Sequence, residues 1–174
     1  MKKFKGVAVS LLLSAVVLGG LIVFSKFLGG SQSGETTQAN ISNSLNAVLS
    51  SDEETFNFGN VSMAAGNVSH NFKIKNSGSE PLVITKIYTS CMCTAATLVQ
   101  GGSKKTGPFG MLGHGFNPSI KLVVSPGEEA EVEAIFDPAA HGPAGLGRVN
   151  RVITLENSGR GGKFELSFDV NVIP

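Results

Sequence analysis

The sequence has no tryptophan, a single tyrosine (Tyr88), two cysteines and three histidines in 174 residues. Without Trp and with one Tyr, a core has to be built from Val, Ile, Leu and the eleven Phe residues. Charge is sparse as well, at 16%. Lys2, Lys3, Lys5 and Lys26 sit in or beside the N-terminal apolar stretch, and beyond them ten Lys/Arg face thirteen Asp/Glu, a net of −3. Nothing there is a clustered basic face, and phosphate binding needs one, so nucleic acid is excluded as a partner. The chain also lacks a Ser/His/Asp spacing, a phosphate-binding loop and a G-x-S-x-G elbow, and the carboxylates Glu128, Glu129, Glu131 and Glu133 fall on a turn and an exposed strand face. The expectation is therefore a protein that is not an enzyme. With so few reactive side chains, chemistry has one place to sit: Thr89-Ser90-Cys91-Met92-Cys93-Thr94, which holds both cysteines in a C-x-C spacing.

What is present is organised in three parts. Residues 1–28 read as a membrane anchor: Lys2, Lys3 and Lys5 precede the uncharged run Val7–Phe24, whose length as a helix, about 27 Å, is close to the hydrocarbon thickness of a bilayer. Basic residues on the N-terminal side put that end in the cytoplasm. A cleaved signal peptide is the alternative; the run is longer than a usual signal core, no clear A-x-A site follows it, and no cysteine is there to carry lipid. Either reading places the remainder outside the cytoplasm, at the cell surface or in the periplasm. Residues 29–54, rich in Ser, Gly, Asn and Thr, read as a flexible tether with a reach of roughly 30 Å. Ile41, Leu45 and Leu49 allow one short amphipathic helix within it.

From Thr55 onward the pattern changes to short period-2 runs separated by turn residues, and 22 glycines and seven prolines suit a turn-rich β fold. Strands are expected at Thr55–Val61, Val68–Lys75, Leu82–Ser90, Ile120–Val124, Ala130–Phe136, Val149–Leu155 and Phe164–Ile173. Seven short strands with turns between them predict an all-β, immunoglobulin-like sandwich over residues 55–174. The connection Ala95–Ser119 reads as a long loop, of a length that compact domains reserve for function.

Several short motifs recur in a fixed order: Phe56-x-Phe58-Gly59, Asn76-x-Gly78-x-x-Pro81-Leu82-x-Ile84, Thr89-Ser-Cys91-x-Cys93-Thr94, Pro126-Gly127-Glu128 and Ile135-Phe136-Asp137. In these, roughly Phe56 to Pro174 resembles a family of bacterial exported proteins known only as a domain of unknown function, whose hallmark is the string SCGCT. It is similar to the wider group of immunoglobulin-like folds that includes the major sperm protein and the cilium-associated ASH domains. The resemblance implies a sandwich and a bacterial, extracytoplasmic setting, and it brings no activity with it. The chain departs from the pattern at Met92, where the family has Gly, and in the added stretches GPFGMLGHGF and HGPAGLG.

Those stretches carry further donors. If the strands alternate up and down, the loops holding Met63, Met111 with His114, and His141 emerge at the end of the sandwich where Cys91 and Cys93 finish their strand. Thiolates, thioethers and imidazoles together suit copper(I), and two Cys with two His equally suit tetrahedral zinc. The candidate metal ligands are thus Cys91, Cys93, His114, His141 and Met111. Met63 reads more readily as a packing residue, and His70, on the apolar face of its strand, as a satisfied core histidine. The alternative is a metal-free scaffolding or adhesion module for an envelope protein partner, with the C-x-C pair bridged or structural. On an extended strand the two Cα atoms would stand at roughly 6.5–7 Å, the limit for a disulfide, so a bridge would need a local bend.

Overall fold

The computed structural model describes residues 46–114 and 117–174. Among them ten strands follow in order: β1 Leu49–Ser50, β2 Thr55–Ser62, β3 Val68–Asn76, β4 Leu82–Thr89, β5 Thr94–Gln100, β6 Lys104–Phe109, β7 Leu122–Val124, β8 Glu129–Phe136, β9 Gly147–Asn157 and β10 Lys163–Ile173. They form two five-stranded sheets, β1-β3-β8-β5-β6 and β2-β10-β9-β4-β7. Neighbours are antiparallel except β2, which runs parallel to β10. The all-β sandwich is as expected, and each of the seven expected strands is present with its ends shifted slightly; the count is ten, not seven.

The additional strands have physical reasons. Thr94–Gln100 lacks alternation because β5 lies inside its sheet between β8 and β6, and Ala96, Thr97, Leu98 and Val99 are all buried. Gly101 and Gly102 take positive φ of 59° and 73°, which lets the chain reverse into β6 within three residues. The stretch Ala95–Ser119, expected as a loop, is therefore mostly a hairpin.

β1 lies within the stretch expected as tether, and the sandwich begins before residue 55. Two Asn-Ser-Gly turns hold it. Asn76 and Asn157 each accept the backbone N–H of the glycine two residues on, at 3.0 and 2.9 Å. The backbone of 46–48 runs between these turns, accepting hydrogen bonds from Ser79, Arg160 and Ser77. A Cβ on Gly78 would lie 2.0 Å from the Asn46 carbonyl oxygen, and one on Gly159 2.6 Å from that of Ala47, so only glycine permits this approach. Asn76 is fully buried and also donates to Glu80 O and Val124 O. Of the residues proposed for an amphipathic helix, Leu49 is in this strand; Ile41 and Leu45 lie outside the described residues, as does the anchor expected over 1–28. No helix among the described residues is long and apolar enough to cross a membrane.

Between the sheets, Phe72, Ile74, Leu98 and Val132 of the first meet Leu82, Ile84, Ile87, Ile153, Leu155, Leu166 and Phe168 of the second, all fully buried. Each such side chain contributes about 1.5–3 kcal/mol. Phe136 and Phe168 meet edge to face across the layers, centroids 5.6 Å apart. His70 is half-buried, stacked on Phe56 at 3.7 Å with Nε2 2.9 Å from Glu53, while Met63 packs against the core. Both therefore have structural roles.

Four connections pass from one sheet to the other at one end of the sandwich: β2 to β3, β4 to β5, β6 to β7 and β8 to β9. The starts of β3 and β5 both face Phe136, the last residue of β8, and Thr89 at the end of β4 pairs with Ile153. This end carries the cysteines.

Candidate metal centre

β4 leaves its sheet at Thr89 and β5 enters the other at Thr94, so Ser90–Cys93 make the crossing. The Thr94 N–H donates to Cys91 O at 3.1 Å, closing a four-residue β-turn over Cys91–Thr94. The cysteines were expected on one face of an extended strand; they sit instead in a turn, which supplies the bend that a strand lacks and brings their Sγ atoms to 2.8 Å.

The flanking residues of the motif hold the turn in place. Buried Thr89 donates its hydroxyl to the carbonyls of both Cys91 and Thr94, each at 3.0 Å. Ser90 is bonded twice to Val152 of β9, its N–H to the carbonyl and its hydroxyl oxygen to the N–H, both 2.9 Å. Asp137, just past β8, donates its N–H to Cys93 O at 2.9 Å. The turn is thus tied to both sheets. No non-glycine residue among those described has positive φ, so the side chain at 92 meets no backbone strain in the turn. Met92 stands 60% exposed at the tip.

His141 comes from the β8–β9 connection, immediately before a short 3-10 turn, Gly142–Gly145. A Cβ on Gly145 would lie 3.1 Å from the Cβ of His141, so a bare glycine leaves the imidazole its space. Its Nε2 is 3.1 Å from Cys91 Sγ. The donor atoms of Cys91, Cys93 and His141 all lie within 4.8 Å of one another.

Arg151 of β9 completes the site. Its Nε donates to Cys93 Sγ at 3.0 Å, and Nη1 is anchored on Asn150 O at 2.8 Å. Sequence reasoning missed it, because only the β4–β9 register brings it beside the turn. The two thiols are made unequal. Burial raises the Cys91 thiol, but hydrogen bonds from the Cys93 side chain and backbone and from His141, with the charge of Arg151, outweigh it and lower the pKa from 9.0 to about 7. Burial, and then the hydrogen bond to Cys91, push Cys93 upward against the opposing pull of Arg151 and Thr94. The favoured singly ionised form is a Cys91 thiolate accepting from a Cys93 thiol.

The remaining expected ligands emerge at the same end without joining this group. His114 lies outside the set of three; it lines an apolar hollow of about 610 Å³ with Met92, Phe109, Pro118 and Ile120. Half-buried Met111 forms a backbone bridge with Thr89. The topological reasoning placed the loops correctly, and the direction of each side chain decided which donors meet.

Residues 49–119 match DUF1573, a family described as a protein of unknown function. The DUF1573 segment runs from β1 past β6 and contains the whole cysteine turn, whereas His141 and Arg151 lie beyond it. Among curated proteins none matches the sequence. A protein of unknown function from Porphyromonas gingivalis W83 shares the sandwich, with a TM-score of 0.53 at 12% identity over 78% of this chain; the chain spans only 51% of that protein. The ASH/PapD-like domain 7 of human CEP192 is similar at a TM-score of 0.42 and 11% identity, covering 75% of this chain and 87% of that one. The chain therefore shares a β-sandwich with the Porphyromonas gingivalis protein, and its site has to be read from its own residues.

Proposed function

We propose that this DUF1573 domain binds one soft metal ion through Cys91, Cys93 and His141, with copper(I) favoured over zinc. We further propose that it works outside the cytoplasm, tethered by the N-terminal anchor. The observation that carries the reading is the convergence of two sulfurs and one imidazole nitrogen from two separate crossovers. Two thiolates and an imidazole are a complete three-coordinate set for a soft monovalent ion. Around a three-coordinate ion with metal–sulfur bonds of about 2.3 Å and angles near 120°, the sulfurs would stand roughly 4 Å apart, so the turn has to open by about 1.2 Å from 2.8 Å.

Charge favours copper. Two thiolates with a monovalent ion leave one negative charge, which the guanidinium of Arg151 neutralises; with a divalent ion the same cluster is neutral and Arg151 adds an unbalanced positive charge. His114 and Met111 stand on a neighbouring loop and are not needed for the set. The test is anaerobic titration of the full chain in detergent with Cu(I) against a competing chromogenic chelator. Binding of about one ion per chain, lost in the Cys91→Ser/Cys93→Ser variant, is the expected outcome; full retention by that variant overturns the reading. A metal-free scaffolding role for an envelope protein partner is the second reading. Exposed Met92 at the rim of the apolar hollow favours it, and it predicts partner binding undisturbed by chelator.

A further inference from the structure

The same turn has the parts for a reaction that needs no metal. We propose that Cys91 and Cys93 act as a thiol–disulfide exchange pair, Cys91 attacking an incoming disulfide and Cys93 resolving it. The inference goes beyond the metal reading and does not rest on it.

Access assigns the roles. Cys91 is partly exposed, whereas Cys93 is 3% exposed beneath it, so an external disulfide meets Cys91 first. The resolving sulfur is already in place: Cys93 Sγ lies 2.8 Å from Cys91 Sγ, within the distance at which a bound nucleophile attacks. The turn is tied to both sheets through Thr89, Ser90 and Cys93 O, so this proximity belongs to the fold. The Arg151 Nε–H, 3.0 Å from Cys93 Sγ, stabilises negative charge on that sulfur when it becomes the nucleophile. In dithiol oxidoreductases a helix N-terminus commonly stabilises the attacking thiolate; here a guanidinium on a strand instead stands on the resolving sulfur.

The chemistry balances in two displacements. The Cys91 thiolate attacks a disulfide RS–SR′; a Cys91–SR bond forms, the S–S bond breaks, and R′S⁻ leaves. The Cys93 thiol gives up its proton, which the departing thiolate takes up through solvent. Cys93 sulfur then attacks Cys91 Sγ, forming the Cys91–Cys93 bond and releasing RS⁻, which is protonated by solvent. The protein dithiol is oxidised by two electrons, and one disulfide is reduced to two thiols. The substrate class is an accessible disulfide, in a small thiol or in a polypeptide, and Met92 with the neighbouring apolar hollow offers a surface for apolar groups flanking it.

The test uses the reduced full chain in detergent with chelator present, oxidised glutathione as the small probe and a cystine-bridged unfolded peptide as the large one. Mass spectrometry after acid quench should show the wild-type protein ending as an intramolecular disulfide with no adduct, with at least one of the two probes. Cys93→Ser should retain a mixed disulfide on Cys91, and Cys91→Ser should react more than about tenfold more slowly while folded. Denaturing the Cys91→Ser protein should restore its reactivity, showing that burial protects Cys93. Equal reactivity of the two folded single variants, a stable adduct on the wild type, or no reaction with either probe would overturn the proposal. Exchange in a protein that binds no Cu(I) removes only the metal reading, and Cu(I) binding without exchange removes only this one.

Discussion

Replacing Arg151 with glutamine separates two effects that the site superimposes, charge balance and donor geometry. The guanidinium hydrogen-bonds Cys93 Sγ at 3.0 Å and makes no hydrogen bond to the other two donor atoms, Cys91 Sγ and His141 Nε2. A hydrogen bond to a charged sulfur contributes about 1.5–3 kcal/mol. Arg151 is half-buried, so the lower part of that range applies once solvent screening is counted. Removing the positive charge from a cluster that carries one negative charge with Cu(I) should weaken Cu(I) binding roughly 10- to 30-fold. The same change on the Zn(II) cluster removes an uncompensated positive charge, so Zn(II) affinity should stay level or rise. Parallel competition titrations of wild type, Arg151→Gln and Arg151→Lys, with Cu(I) and then Zn(II), read both shifts; lysine, which keeps the charge, should restore part of the copper affinity. If Arg151→Gln binds Cu(I) as tightly as wild type, or if both ions weaken equally, the charge argument for copper is wrong.

Other outcomes follow from the same geometry. Because the Cys91 pKa is lowered to about 7, its thiolate fraction rises as pH increases through that value; the rate of Cys91 alkylation should climb with a midpoint near pH 7, and His141→Ala should move the midpoint upward by removing one of the lowering contacts. Asn76→Ala strips four hydrogen bonds from a fully buried position and should cost at least about 3 kcal/mol in urea unfolding, while leaving the folded-state alkylation of Cys91 unchanged. Gly78→Ala places a methyl against the Asn46 carbonyl; it should release residues 46–50 from the sheet, seen as rapid amide exchange at Ser79 and Arg160, whose N–H groups they accept. Phe168→Ala opens a cavity where both sheets meet and should cost about 3–5 kcal/mol.

The legible parts of this fold are those where one face is buried and the other wet. In β3, Phe72 and Ile74 alternate with Asn71, Lys73 and Lys75, and β10 repeats the pattern with Leu166, Phe168 and Val170. β5 hid because a strand inside a sheet, buried along most of its length, has no alternation to read. β1 hid because two residues held by backbone bonds to distant Asn-Ser-Gly turns leave no periodic signal. At the site, up-and-down topology was enough to send the cysteine, His141 and His114 loops to one end. It could not say that Cys91–Thr94 turns instead of extending, because that depends on Thr89 and Ser90 finding partners across both sheets. Nor could it find Arg151, whose place beside Cys93 is set by a register between strands about sixty residues apart in the chain.

The most direct measurement is Cu(I) titration of the full chain against a competing chelator, with Cys91→Ser/Cys93→Ser and His141→Ala run beside the wild type. The account predicts about one ion per chain, abolished in the double serine variant and weakened in His141→Ala, with His114→Ala indistinguishable from wild type. A chain that takes up no Cu(I), or one that keeps its ion after both cysteines are gone, would contradict it.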